Sequence, residues 1–224
     1  MKKSDGNFGN ENSFHSFAPS MKKEATELKI LNGARDLFYK HGIRTITMDA
    51  IAKHLVVSKK TIYFHYKDKN RLVKSMIQSE LEEVFLTMKT IRTESENPID
   101  EMLKIMEHIQ HFMRKFNPVI FYDLQKFHSE AWAELRNFQD KSMMGFVEDN
   151  LKKGVKQALY RKEIKIKIIA RLRMAEVSFG FNVSEFPPTQ FSPTDVQLAM
   201  FEHFLHGIVT LKGYKMLGKK VNLK

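Results

Sequence analysis

The sequence predicts an all-α fold. Apolar residues recur three and four positions apart through most of the chain, and no segment alternates convincingly with the period of two that a half-buried strand shows. Helix starts are marked at Asn97-Pro98 and Asn117-Pro118, since proline is tolerated at the first helical position. Ser192-Pro193 with Asp195 in the first turn marks another. We expect three small helices followed by a larger helical domain, about nine helices in all.

The composition excludes several classes of protein and site. The chain has 224 residues and no cysteine, which rules out disulfides, thiolate metal sites and cysteine nucleophiles. Its apolar content of 42% supports a substantial core. No apolar run approaches the length that spans a bilayer, and the N-terminus has no hydrophobic signal region. We therefore expect a cytoplasmic protein without a membrane partner.

The net charge of +11 is distributed unevenly. Residues 22–74 hold 13 Lys/Arg against 5 Asp/Glu, residues 75–150 hold 8 against 14, and residues 151–173 hold 9 against 1. A basic N-terminal region on an acidic helical body suits a protein that binds a polyanion at one end. The second basic run has two interpretations: a solvated helix end with its loop, or another nucleic-acid contact.

The N-terminal domain is predicted at residues 22–72, after a tail. Residues 1–21 are rich in Gly, Asn and Ser without periodicity, which indicates a disordered tail. A first helix is expected from Lys22 to His41, with Gly42 as its C-terminal stop. Thr47 and Ser58 are suitable N-caps for two short helices that meet at a turn.

The third helix has an unusual outward face. Ile62 and Tyr66 point into a small core, and the other positions carry lysines, a hydroxyl, two aromatic rings and a histidine. Such a face fits a helix in a DNA major groove with its N-terminal residues at base edges. An ordinary basic surface helix is the alternative, but it would leave the exposed aromatic rings unexplained. The candidates for base-edge contacts are Lys59, Lys60, Thr61, Phe64 and His65.

Residues 29–55 and 57–73 resemble the DNA-binding domain of the tetracycline-repressor (TetR-like) family of bacterial regulators. The specific part is a Ser, a basic pair, Thr-Ile-Tyr, the aromatic Tyr66, and Lys69 opening the next helix. The family usually has glycine in the turn, where this sequence has Val56. Either the turn is built without a left-handed residue, or Val56 is strained. The resemblance implies binding of duplex DNA as a homodimer on a palindromic operator, with phosphate contacts from Thr47, Ser58, Tyr63, Lys67 and Lys69.

The second domain is predicted at residues 73–224. The fourth helix, from about Lys69 to Arg92, links it to the N-terminal domain. The following helices are expected at about Pro98–Met113, Val119–Phe127, Ser129–Tyr160 and Lys165–Phe181, and from Pro193 onward.

The resemblance also implies an effector pocket within helices four to eight. Soft apolar side chains in this region are its candidates, although for each one taken singly a plain core role is the alternative. They predict a mainly apolar ligand held by few hydrogen bonds. The absence of an obvious cluster of one charge argues against a strongly ionic effector. The candidates are Met113, Phe116, Phe121, Phe127, Trp132, Met144 and Met174.

The ninth helix is apolar on two faces, and both must be buried. One stripe comprises Leu198, Phe201, Leu205 and Ile208. In the family that this sequence resembles, the last two helices pack against their copies as a four-helix dimer interface, so we assign this stripe to the dimer. The alternative is a helix enclosed within its own protomer.

Catalytic and metal-binding motifs are not evident. His108 with His111, and His203 with His206, have a helical spacing that could share a metal, but neither pair has a nearby carboxylate–histidine pattern. No phosphate-cradling glycine loop or nucleophile elbow occurs. We predict a protein without cofactor or metal that is not an enzyme.

The function predicted from these observations is a dimeric repressor released from its operator by a small apolar molecule. The alternative is a DNA-bound adaptor whose helical body recruits another protein without a small-molecule effector.

Overall fold

The computed structural model describes residues 14–114 and 117–220. Apart from one isolated antiparallel bridge between Tyr160 and Val209, the regular elements of this part are helical, which confirms the predicted all-α class. The first helices are α1 (Phe14–His41), α2 (Met48–Leu55), α3 (Lys59–His65) and α4 (Lys69–Glu94). The body contains α5 (Pro98–Met113), α6 (Val119–Phe127), α7 (Ser129–Phe138), α8 (Met144–Lys156), α9 (Ile166–Phe179), α10 (Pro193–Ile208) and α11 (Leu211–Lys220).

A first core holds α1, α2 and α3 together. Ile30, Ala34 and Phe38 follow one another on one face of α1 and are fully buried, as their spacing predicts. Ile51 of α2 and Ile62 of α3 are fully buried against them. Each buried isoleucine or phenylalanine side chain contributes roughly 1.5–3 kcal/mol by leaving water, so α3 is fixed to the N-terminal domain by its inner face.

The turn between α2 and α3 contains a strained residue. Val56 ends α2 with φ 55° and ψ 47°, in the left-handed region, and its side chain is 91% exposed. Of the two alternatives for this turn, the strained one is therefore observed. A left-handed conformation costs an L-residue roughly 1–2 kcal/mol because Cβ crowds the following carbonyl oxygen.

The long helix α4 connects the two cores. Asp68 caps its N-terminal end: the Asp68 Oδ1 accepts a hydrogen bond from the Arg71 amide at 2.8 Å. Leu72, Val73 and Met76 belong to the first core, while Met88 is buried farther along the helix. The predicted domain boundary between residues 72 and 73 thus lies inside one continuous helix.

Helix α6 and the start of α7 pack against the N-terminal domain. Ile120 and Leu124 of α6 and Ala131 of α7 are buried in the first core. The structure therefore joins a helix of the predicted second domain directly to α1–α3.

A second core lies among α5, α8, α9, α10 and α11. Asn97 caps α5 by accepting from the amides of Ile99 and Asp100 at 3.0 Å. Inside this core the fully buried Asn150 donates to the carbonyl of Pro98 and to Glu101 Oε2, both at 2.9 Å. These bonds tie α8 to the start of α5.

Three boundaries differ from the predicted ones. The long seventh helix is interrupted by a π-helical turn, Gln139–Met143, and ends at Lys156 before reaching Tyr160. The ninth predicted helix is followed by a separate α11. Helix α1 begins at Phe14, so the start predicted at Lys22 was late, and residues 1–13 of the predicted tail lie outside the described residues. Within the described part, none of the helices has the length and apolar content needed to cross a membrane.

Candidate functional site

The outward face of α3 presents aromatic rings beside lysines. Tyr63 is 48% exposed and Phe64 is 69% exposed, and Lys60 is exposed next to them. The opposite side of the helix is anchored by the fully buried Ile62. A rigid short helix with exposed rings and cationic groups can lie in the major groove of DNA.

Both predicted caps are formed. Thr47 Oγ1 accepts from the Ala50 amide at 3.1 Å, and Ser58 Oγ accepts from the Thr61 amide at 3.0 Å. The hydroxyls of Ser58 and Thr61 also lie 2.8 Å apart. These contacts fix the N-terminal ends of α2 and α3 and leave both cap residues exposed on the surface.

Lys59, one of the predicted base-edge residues, has an intramolecular partner that sequence reasoning did not foresee. The Lys59 ammonium forms an ion pair with Asp49 of α2. Its positive charge is therefore partly neutralised at this surface. Lys67 is exposed beyond the end of α3.

His65, predicted as a base-edge contact, turns inward, away from the exposed face formed by Lys60, Tyr63 and Phe64. Its side chain is 4% exposed, and Nδ1 lies 3.8 Å from Glu27 Oε2 of α1. Among the described residues, no hydrogen-bond partner is found for this Nδ1 atom. The histidine sits on the inner edge of α3 because the helix rotates it toward α1.

Lys69 is partly buried at the junction of α1, α4 and α6. Its ammonium donates to the carbonyl of Arg44 at 3.3 Å and lies 5.9 Å from the centroid of the Phe38 ring. Burial lowers the pKa of Lys69, and the nearby Asp123 carboxylate partly opposes this effect. Lys69 therefore supports the α1–α2 loop as well as adding positive charge near it.

A cleft of about 930 Å³ lies between α6, α7, the π-helical turn and α9. Its apolar wall contains Phe121, Trp132 and Met174, three of the predicted ligand residues. The rings of Phe121 and Phe181 face each other there with centroids 3.8 Å apart and an interplanar angle of 32°. The complete lining is Phe121, Tyr122, Gln125, Trp132, Arg136, Gln139, Asp140, Arg171, Leu172, Met174, Ala175, Glu176, Ser178, Phe179, Phe181, Asn182, Val183 and Ser184.

The other predicted ligand residues lie away from this cleft. Met113 is buried at the end of α5, and Met144 belongs to the second core and borders a neighbouring shallow groove. Phe127 is 40% exposed, and the Arg44 guanidinium carbon lies 5.2 Å from the centroid of its ring. Phe116 lies outside the described residues.

One end of the cleft is polar, which the sequence analysis missed. Arg136 Nη1 donates to Gln139 Oε1 at 3.3 Å and to Ser178 Oγ at 3.1 Å. Arg171 pairs with Asp140 at 2.8 Å. Arg136 and Gln139 are three residues apart on successive helical turns, so they lie on the same side of the helix. Ser178 reaches Arg136 from α9, a contact that sequence spacing does not show.

The stripe of α10 predicted for the dimer faces the second core. Phe201, Leu205 and Ile208 are 3%, 2% and 2% exposed, and Leu198 is partly buried. These side chains therefore pack inside the protomer, as in the alternative interpretation of this helix. Apolar side chains are exposed instead on α9, where Ile168, Leu172 and Phe179 are 60%, 52% and 48% exposed.

The histidine pairs at helical spacing are His108 with His111 and His203 with His206. In the part of the chain that the structure describes, no three His, Cys, Asp or Glu residues are grouped to hold a metal ion. Burial lowers the pKa of His108, with Glu83 opposing the shift.

The N-terminal region is similar in sequence to known bacterial regulatory proteins. Residues 30–76 match the family model described as bacterial regulatory proteins, tetR family. The chain is 27% identical over 95 residues to the HTH-type transcriptional regulator YvaF of Bacillus subtilis, covering 42% of this chain and 50% of that relative. It is 33% identical over 95 residues to the HTH-type transcriptional regulator SACOL2593 of Staphylococcus aureus, covering 41% and 51%. The chain thus spans about half the length of the curated relatives it matches.

Solved structures share the fold over most of the chain. A TetR-family transcriptional regulator from Agrobacterium tumefaciens matches with a TM-score of 0.69 at 14% identity, covering 84% of this chain and 100% of that chain. The transcriptional regulator FadR from Bacillus subtilis, solved in complex with stearoyl-CoA, matches with a TM-score of 0.59 at 13% identity, covering 81% and 98%. At these identities the likeness shows the fold alone.

Proposed function

We propose, from the match of residues 30–76 to the tetR family of bacterial regulatory proteins, that the chain is a dimeric transcriptional repressor of this family. In this proposal it binds a palindromic operator in duplex DNA and leaves it when a small, mainly apolar ligand binds the body. The observation that carries the proposal is the outward face of α3. There Lys60, Tyr63 and Phe64 are exposed on a helix whose other side is buried.

Two copies are needed for a palindrome, because each α3 reaches one major groove and a second groove opens one helical turn away. The exposed apolar face of α9 supports the pairing of two protomers. Ile168, Leu172 and Phe179 are spaced four and seven residues apart, so they line one side of the helix. An apolar stripe of this kind on a surface helix favours burial against a partner.

The cleft favours control by a small-molecule ligand rather than the alternative of an adaptor without an effector. Phe121 on α6 lines the cleft, and Asp123 on the same helix accepts a hydrogen bond from the Arg44 amide of the N-terminal domain at 2.9 Å. Suppose that the protein has two conformations that differ in where α6 lies. A ligand that binds one of them more tightly shifts the equilibrium toward it by the difference in binding free energy, and the N-terminal domain moves with α6. The spacing of the two α3 helices, and with it operator affinity, then depends on the ligand.

The proposal is tested by selecting bound sequences from random duplex DNA and then screening small molecules against the recovered site. We expect a two-fold symmetric sequence, bound by one dimer and released by an effective molecule. Trp132, the chain's single tryptophan, lines the cleft, so its emission should change with the same midpoint as operator release. Failure to enrich any sequence would contradict the DNA-binding function, and enrichment of an asymmetric site would contradict the palindrome.

A further inference from the structure

We propose that the cleft selects an amphipathic anion, whose apolar body packs against Phe121 and Trp132 and whose carboxylate pairs with Arg136. The inference rests on the proposed function, because it names the chemical class of that ligand. It also departs from the sequence analysis, in which a strongly ionic effector was disfavoured for want of a visible charge cluster.

The charges around the cleft leave one cation without a counter-charge. Asp140 is paired with Arg171 at 2.8 Å, and Glu176 is paired with Arg173 at 3.3 Å. Arg136 contacts the neutral oxygens of Gln139 and Ser178 and, among the described residues, forms no ion pair. Among the charged residues that line the described part of the cleft, Arg136 is thus the one without an ion-pair partner. The Arg136 guanidinium would repel a cationic ligand, and a neutral ligand could not form an ion pair with it.

The Arg136 guanidinium is held in place with donors to spare. Both hydrogen bonds formed with described residues use Nη1, whereas Nε and Nη2 take part in none of those found there. These remaining N–H groups form the fork that binds a carboxylate through two parallel hydrogen bonds. Gln139, one of the two residues that orient the guanidinium, is only 6% exposed. Its buried side chain therefore holds the guanidinium in a fixed orientation.

The π-helical turn places this support. Gln139 opens the turn that joins α7 to α8, directly after the last turn of α7 that carries Arg136. Single π-helical turns within α-helices occur frequently at functional sites. Gln139 follows Arg136 by three residues, a spacing that places the amide side chain next to the guanidinium at the edge of the aromatic wall.

The rest of the cleft is suited to an apolar body. Phe121 and Phe181 face each other at 3.8 Å, and Trp132 and Met174 continue the wall. Aromatic and thioether side chains bind flat or flexible hydrocarbon groups without demanding hydrogen bonds. The polar and apolar ends together define an amphipathic ligand with one negative charge.

The experiment uses three probes that share one apolar body and differ in charge. Phenylbutanoate, phenylbutanamide and phenylbutylammonium are titrated into the full-length protein without DNA, with Trp132 emission and calorimetry as readouts. We expect phenylbutanoate to bind about tenfold tighter than the amide, because a hydrogen-bonded charge pair is worth more than a neutral contact. The ammonium compound should bind most weakly.

Two variants locate the preference. Arg136→Gln should abolish the preference for the acid and leave the affinity for the amide within about twofold. Lys141→Gln is the matched control. It also removes one positive charge, but Lys141 lies in the π-helical turn and does not line the cleft. It should keep the wild-type preference.

Several outcomes would overturn the inference: no binding of any probe, equal binding of acid and amide, preference for the ammonium compound, or an unchanged preference in Arg136→Gln. Operator release is then measured separately. If phenylbutanoate binds through Arg136 and yet leaves the operator complex intact, the anion site stands and the proposed ligand-released repression fails.

Discussion

The carboxylate of Asp123 accepts a hydrogen bond from the backbone amide of Arg44, with 2.9 Å between Oδ2 and the nitrogen. Asp123 lies on α6, two residues after the cleft residue Phe121, and Arg44 lies in the loop between α1 and α2. The aspartate is 2% exposed, so this contact is shielded from water. It provides a direct physical link between α6 of the body and the N-terminal domain.

Asp123→Ala is expected to lower the free energy of unfolding by about 1–3 kcal/mol, since it leaves the Arg44 amide without its acceptor. Urea unfolding measures the change. Asp36→Ala, at an exposed position of α1, is the control and should shift stability by less than about 0.5 kcal/mol. Equal effects of the two substitutions would show that the Asp123 contact does not stabilise the fold.

Val56→Gly is expected to raise the free energy of unfolding by about 0.5–1 kcal/mol. Glycine removes a left-handed strain of roughly 1–2 kcal/mol, offset in part by the larger entropy of glycine in the unfolded chain. The side chain is 91% exposed, so no packing is lost. Thermal denaturation should show a higher Tm.

Val57→Gly serves as the control for this turn, because Val57 does not have a positive φ and is partly buried. It should lower Tm. A lower Tm for Val56→Gly as well would mean that the turn carries no strain at Val56.

Local signals in the sequence predicted the helices and their caps. Thr47, Ser58 and Asn97 each accept the backbone hydrogen bond expected of an N-cap. Such bonds involve residues two or three positions apart, so the information lies within a few letters of sequence. The glycine-like conformation of Val56 was likewise one of two alternatives that the sequence left open.

Contacts between distant segments could not be predicted in the same way. Two apolar faces on α10 indicate that both are buried, but periodicity does not tell whether the chain itself or a second copy covers Leu205 and Ile208. The inward turn of His65 depends on where α1 crosses α3. The polar end of the cleft requires Arg136, Gln139 and Ser178 to meet across three elements.

Stability is expected to fall as the pH drops below about 6.5, the ordinary pKa of histidine. Burial lowers the pKa of His128, Lys69 lowers it further and Asp123 opposes the shift. Below pH 6.5 the unfolded chain therefore takes up a proton that the folded chain resists, which favours unfolding. One such group contributes at most about 1.4 kcal/mol per pH unit.

His128→Gln should reduce this slope, measured by urea unfolding between about pH 7.5 and pH 5.5. His108, whose pKa is also lowered by burial, accounts for part of the remaining slope. His203→Gln, at an exposed position, should leave the slope unchanged. The same slope in wild type and His128→Gln would contradict the assignment.

Binding to the selected operator should separate two kinds of lysine. Lys67→Ala is expected to weaken all sequences alike and to reduce the slope of log affinity against log salt by about one, as for a lost phosphate contact. Lys60→Ala should instead change which bases are preferred, because a lysine at a base edge favours guanine. Lys162→Ala in the body is the control, and an equal loss there would indicate nonspecific charge effects.

The dimer can be tested on two faces of neighbouring helices. Ile168 is 60% exposed on α9, whereas Leu205 is 2% exposed on α10 and packs in the second core. If two copies meet through the outward face of α9, Ile168→Glu should yield a folded monomer, since the free protomer keeps this position in water. Leu205→Glu should unfold the chain, because burying an unpaired charge costs several kcal/mol.

Light scattering at micromolar concentration gives the molecular mass, and circular dichroism gives the helix content. We expect the wild type to be a dimer, Ile168→Glu a monomer of unchanged helicity, and Leu205→Glu a protein with lost helicity. A dimer that persists in Ile168→Glu would exclude the α9 face. A helical monomer for Leu205→Glu would instead place the dimer interface on the α10 stripe. In that case position 205 would be exposed to water in the separated protomer, and the charge would be tolerated.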